Sequence, residues 1–308
     1  MESTKSIRET VRRNINSKKN KRMEKLMPGV LLATALISVL TTLGIVVTLL
    51  IDAYKFFEAV PFLEIFSTKL APLAAEPSFG ILPLINATIM TSVIAMFVAI
   101  PIGLTAALYL SEFASDKQRK VLKPMLELLA GIPTIVYGFF AYSFVTPFLM
   151  KLIPSLGAKN ALSPGIVMGI MIIPLVASLS EDAMSAVPNS MREGALALGS
   201  TKLEVSIKVI IPAAISGIIA SFVLAISRAV GETMVVTIAS GSAKNFTFDI
   251  TRSMQTMTAY IVEFTSGDAG SGTIGYYSLY AVGFLLFVFT LLMNMFAHRI
   301  AKKFREEY

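Results

Sequence analysis

The 308-residue chain has no cysteine, no tryptophan and a single histidine, His298. Without thiols there is no disulfide framework, no thiolate nucleophile and no cysteine-ligated zinc or iron–sulfur centre. One imidazole leaves little material for a metal site, so neither metal nor cofactor is expected. The pattern G-x-x-x-x-G-K-[ST] is also missing, so the chain cannot supply its own phosphate-cradling loop and any ATP must be hydrolysed by a partner. Charge is scarce: 15% of residues are charged against 55% hydrophobic, with mean hydropathy +0.71, too apolar for a soluble globule of this length.

Long apolar runs fill the gap, and they read as an all-α integral membrane protein with six transmembrane helices. The run from Leu26 to Ile51 exceeds a signal-peptide core and has no clear small-residue cleavage site behind it, so it reads as a first span. Further spans are expected at about 82–110 (with a bend at Pro101), 124–149, 163–180 (with Pro174 inside), 213–240 and 273–298. Residues 1–25 form a basic tail and 301–308 a second tail, flanking a membrane domain at 26–300. With net charge +7, nucleic acid is one conceivable partner, but the basic residues crowd at the chain ends beside apolar spans, where anionic lipid head groups meet them. The segments assigned to one side hold 20 of the 27 Lys and Arg residues, the three loops on the other side hold 6, and Arg228 falls within a span. Both termini are therefore expected in the cytoplasm. Residues 52–80 and 241–270 are expected as external loops.

The stretch from Pro188 to Pro212 is polar, tightly punctuated and on the inner side. Ser190 with Glu193, and Thr201 with Glu204, have capping-box spacing, and Gly199 is suited to end a helix in the left-handed conformation. Two short helices with a glycine between them are expected along the membrane face, the second running through Pro212 into the next span.

The second constellation is Ser227-Arg228-Ala229-Val230-Gly231-Glu232-Thr233. On an unbroken helix Arg228 lies ~24 Å beyond Pro212, in the middle to outer part of the bilayer, with Glu232 one turn further on the same face. Ionised side chains there normally face a bundle interior or an aqueous path. Arg suits a tetrahedral oxyanion, because its planar fork donates two parallel hydrogen bonds and stays charged at any accessible pH. Glu232 would temper that charge. A purely structural ion pair is the competing reading.

Glu193, Ala195, Gly199 and the apolar-x-apolar-Pro ending at Pro212 resemble the EAA loop of ATP-binding-cassette importer permeases, with Gly194 where that family usually has Ala. The segments SRAVGETMVV, QTMTAYIVE (255–263), ELLAGIPTIVYG (127–138) and PIGLTAALYLSEFA (101–114) are similar to phosphate-importer permeases, closer to the PstC than to the PstA subunit, over about residues 78–300. The resemblance implies the type I importer permease fold (MetI-like). It implies ATPase coupling by Arg192, Glu193, Gly194, Ala195, Gly199 and Pro212, and phosphate passage past Arg228 and Glu232. It also implies four kinds of company: a PstA-like second permease, two PstB-like ATP-binding subunits, a PstS-like phosphate-binding protein and membrane lipid. A permease for molybdate, sulfate or phosphonate, and an ATP-independent carrier, remain as alternatives. Glu127, Glu181 and Asp182 near the inner ends of spans read as solvated interfacial groups, His298 as an interfacial anchor, and the 16 Met residues as packing.

Overall fold

The computed structural model describes residues 18–268, 270 and 272–303. The N-terminal tail through residue 17 and residues 304–308 lie outside the described residues, as does the His298 side chain. The chain divides after Asp52 into two units. The first is helical from Lys18 onward, as most of helix α1 (Lys18–Ala59), whose apolar part is longer than the ~20 residues a bilayer core requires.

The second unit begins with the last turns of α1, a short helical turn at Phe62–Ile65 and a two-stranded hairpin, β1 (Leu70–Ala71) pairing antiparallel with β2 (Ser78–Phe79). It continues with α2 (Leu82–Leu108), extended by a π-helical turn at Tyr109–Phe113, then α3 (Asp116–Ala130), α4 (Thr134–Leu152) and α5 (Leu162–Ser185). The stretch from Pro188 to Pro212 supplies α6 (Asn189–Ala197) and most of α7 (Lys202–Ala213). The remainder is α8 (Ile215–Val230), α9 (Met234–Ala239), α10 (Met257–Glu263) and α11 (Ile274–Lys303). Among the described residues five helices are long and apolar enough to cross a membrane, or six if α7 and α8, bent by 71° at their junction, count as one span.

The centre of this unit is the pairing of α2 with α5. Small residues allow it: a Cβ added to Gly169 would lie 2.6 Å from Val98 Cβ, and one on Gly165 would lie 2.7 Å from an Ile94 methyl. Around the pair Met168, Met171, Ile172, Ala225 and Tyr137 form a closed apolar cluster. Pro101 and Pro174 stay inside continuous helical segments.

Two expected spans are broken. The third, expected at 124–149, is split by Gly131, Ile132 and Pro133. Gly131 ends α3, and Pro133 holds extended backbone before α4. α3 itself starts at a capping box, with Ser115 N donating to Gln118 Oε1 at 2.9 Å, and buries no residue fully; it is an amphipathic surface helix, not the first half of a span. The fifth, expected at 213–240, is interrupted at Gly231–Thr233. The external loop expected at 241–270 also contains α10, with Met257, Thr258, Ala259 and Tyr260 buried.

Candidate functional site

The coupling stretch folds largely as its punctuation dictates. Gly199 adopts φ +88°, its N–H bonds to Leu196 O, and Ser200 N–H reaches Ala195 O, the two bonds of a Schellman ending. Thr201 N donates to Glu204 Oε2 at 3.0 Å and Glu204 N to Thr201 Oγ1 at 3.3 Å, so the second capping box is present. The Glu204 carboxyl is held below its ordinary 4.5 by the Thr201 backbone and hydroxyl hydrogen bonds, with Lys208 adding to the effect. The first box, Ser190 with Glu193, does not form. Pro188 is the N-cap and α6 starts at Asn189, which puts Ser190 inside the helix, where its hydroxyl cannot cap. Pro212, without an N–H, sits two residues before the 71° bend between α7 and α8.

Arg192 binds inward. Its guanidinium donates to Glu112 (3.1 Å), Met184 O (2.7 Å), Asn189 Oδ1 (3.2 Å) and Val187 O, tying α6 to the ends of α2 and α5. Ala195 is half-buried against the cluster around Met184 and Ile210, whereas Glu193 and Gly194 are exposed. Leu196 and Leu198 are 48% and 89% exposed, an unusual cost for leucine on a polar helix unless another surface covers them.

Arg228 occupies the last turn of α8. The 71° bend removes α7 from the membrane-crossing axis, and 13 residues of α8 put Arg228 ~20 Å from its start. It lines a cavity of about 190 Å³ with Glu127 and Lys123 of α3, and with Ser178 and Glu181 of α5. Among the described residues no carboxylate is ion-paired with Arg228.

Glu232 does not continue Arg228's helix face. It stands in the break after Gly231, is 8% exposed, and its Oε1 accepts from the N–H groups of Met234 (3.2 Å) and Val235 (3.3 Å). Its own carbonyl accepts from Thr258 Oγ1 at 2.7 Å. The pairing expected from an unbroken helix is therefore absent, because the carboxylate is used to start α9.

Glu181 is also not a solvated interfacial group. It is fully buried, with Lys123 Nζ at 2.7 Å from Oε2 and Arg119 on Oε1, while Asp182 takes Lys123 at 3.1 Å. Hydrogen bonding to Glu181 raises the Lys123 ammonium above its ordinary 10.5 despite partial desolvation. A sequence signal existed: Arg119 and Lys123 are spaced i, i+4 on one face of α3, and two carboxylates end the apolar run of α5. At the opposite end of the unit Lys244 pairs with Glu263 at 3.0 Å and Lys159 donates to Ile238 O at 2.6 Å.

Comparison with known proteins matches residues 99–306 to the family described as binding-protein-dependent transport system inner membrane component. A probable ABC transporter permease protein, YqgH, of Bacillus subtilis is 29% identical over 94% of this chain and 95% of its own length. The phosphate transport system permease protein PstC of Xylella fastidiosa is 34% identical over 75% of this chain and 76% of its own. A probable PstC of Methanocaldococcus jannaschii is 31% identical over 83% and 89%. Among solved structures, a bacterial ABC transporter involved in alginate import aligns with TM-score 0.64 at 14% identity, covering 94% of this chain and all of that one. The MetNI methionine transporter aligns with TM-score 0.54 at 15% identity, over 74% and 95%. The fold is that of ABC importer permeases, and its relatives are transport permeases rather than enzymes. With a broken-span helical unit and a family match over two thirds of its length, this chain belongs to the binding-protein-dependent transport system inner membrane components, membrane permeases that work with ATPase and substrate-binding partners.

Proposed function

We propose that the chain is the PstC-like permease subunit of an ATP-driven importer of inorganic phosphate in a bacterial or archaeal cytoplasmic membrane, with both termini inside. In this reading residues 1–25 and 301–308 are cytoplasmic tails of the permease domain at 26–300. A PstA-like chain is the second permease, two PstB-like subunits hydrolyse ATP, and a PstS-like protein delivers phosphate to the outer loops. The names of the PstC relatives support the substrate. The observation that carries the path is Arg228: a guanidinium without an ion-pair partner among the described residues, on the wall of a cavity between α3, α5 and α8.

The chemistry follows from that charge. A lone cation in a low-dielectric cavity attracts an oxyanion strongly, and a planar fork binds two of its oxygens at once. Glu232 serves the path by position: by capping α9 it fixes the break that ends α8 just after Arg228. The coupling helices α6 and α7 meet the ATPases through Glu193, Gly194 and the exposed Leu196 and Leu198, and Arg192 and Ala195 transmit their movement to α2 and α5. Pro212 hands the motion to α8. The test is reconstitution of the four-component importer with Arg228→Ala: phosphate uptake should be lost while assembly and basal ATP hydrolysis persist. Wild-type uptake by that variant would remove Arg228 from the path.

A further inference from the structure

The Arg228 cavity contains one carboxylate with nothing to bind. Glu127, an exposed residue on the α3 wall, has no ion-pair or side-chain hydrogen-bond partner among the described residues, whereas Glu181 on the α5 wall is held by Arg119 and Lys123. Lys123 is correspondingly committed to Glu181 and Asp182. The uncommitted groups facing the cavity are thus one cation, Arg228, and one anion, Glu127, too far apart to form an ion pair with each other.

That pair sets a requirement on a ligand. It must offer acceptors to the guanidinium and, at a separate point, a hydrogen-bond donor to the carboxylate. Phosphate near neutral pH retains at least one proton and meets both conditions. A fully deprotonated tetrahedral oxyanion such as sulfate has only acceptors, so one of its oxygens would face a carboxylate with no shared proton, an acceptor–acceptor contact between two negative charges that is disfavoured. Glu232 cannot do this work, since two backbone N–H groups already occupy its carboxylate.

Glu127 also lines an adjoining cleft of about 500 Å³ together with Lys123, Arg119, Lys120 and Asp116. It therefore stands where the Arg228 cavity meets a basic cleft along α3. An anion leaving Arg228 toward the cations of α3 has to pass it.

We infer that Glu127 is the specificity-determining residue of this site, accepting a hydrogen bond from the protonated oxygen of the phosphate held by Arg228 and rejecting tetrahedral oxyanions that carry no proton. This rests on the assignment of Arg228 to the phosphate path. The experiment is binding of radiolabelled inorganic phosphate at pH 7 to the assembled permease–ATPase complex without its binding protein, in competition with sulfate, for wild type, Glu127→Gln and Arg228→Ala. Glu127→Gln keeps side-chain volume, and the Arg119–Glu181–Lys123 ion pairs do not involve it, so the fold should be retained. In wild type sulfate should compete far more weakly than phosphate; in Glu127→Gln the gap should narrow by about tenfold or more, because the amide can donate to a bare oxygen. Arg228→Ala should lose phosphate binding altogether. If Glu127→Gln keeps the wild-type preference while Arg228→Ala loses binding, the role of Glu127 is overturned and the phosphate path stands. If Arg228→Ala binds phosphate normally, both fall.

Discussion

Lys123 Nζ on α3 lies 2.7 Å from Oε2 of Glu181, a fully buried carboxylate at the end of α5, and Arg119 takes its other oxygen. Two cations of α3 therefore meet at one charge of α5. The cations are partly exposed, at 29% and 39% of their side-chain surface, and the anion is not, so the arrangement is asymmetric. Removing a cation strands a buried carboxylate. Removing the anion merely releases two cations toward water. Lys123→Ala should cost about 3 kcal/mol of stability in detergent, the low end of what broken buried pairs cost because Arg119 stays on Glu181, and Glu181→Ala less. Equal losses would show that burial does not set the hierarchy.

The same pair predicts a pH dependence. Lys123 titrates above 10.5 in the folded protein, so the contribution of the ammonium is fully present below 10.5 and is lost as pH rises through the higher folded value. Unfolding temperatures of wild type and Lys123→Met should therefore differ by a constant amount from pH 6 to pH 10 and converge above that. Convergence already near neutral pH would contradict the assignment.

Arg192 contacts Glu112, Asn189 and two backbone carbonyls at the junction of α2, α5 and α6. Lysine carries three donors on a point charge and cannot reproduce that fork. Both Arg192→Ala and Arg192→Lys should lower binding-protein-stimulated ATP hydrolysis several-fold while leaving ATPase subunits bound, as measured by co-purification and turnover in proteoliposomes. A lysine variant with wild-type stimulation would mean that charge alone suffices.

What the sequence made legible was local. Gly199 and the Thr201–Glu204 box are short-range devices, and they fold as their spacing requires. The apolar runs located five helices long enough to cross a membrane, and a sixth if the bent α7–α8 pair is one span. Misreadings arose where a neighbour outvoted a pattern: Pro188 captured the N-cap and shifted Ser190 into the helix, and hydropathy ran unbroken across Gly131 and Pro133 although the backbone does not. The same holds for Arg228 and Glu232, whose four-residue spacing implies a shared face only on a continuous helix. The i, i+4 cations of α3 were a signal for Glu181, but its partners lie 58 and 62 residues away in sequence, too far for spacing to name the pairing.

Gly199 tests whether the turn between the coupling helices has to be this tight. A Cβ there would meet nothing within 4 Å, so the cost of Gly199→Ala is backbone strain alone, about 1–2 kcal/mol at φ +88°. Asparagine tolerates this region better. Uptake should fall in the order glycine, asparagine, alanine, with protein levels in the membrane nearly unchanged. Alanine outperforming asparagine would point to a side-chain contact rather than to strain.

Glu232 separates capping from charge. Its carboxylate accepts from Met234 and Val235 N–H, and glutamine retains a side-chain oxygen for those bonds while losing the negative charge at the start of α9. Loss of an anion near a helix start costs about 0.3–1 kcal/mol, and loss of a capping oxygen about 0.5–2 kcal/mol. Glu232→Gln should therefore keep most phosphate uptake, whereas Glu232→Ala should lose much of it, because α9 starts poorly and the turn that ends α8 at Arg228 loosens. Measuring both variants in one reconstituted importer decides the matter. If glutamine is as damaging as alanine, the carboxylate acts on the passing anion through its charge, and its role in the path is direct rather than positional.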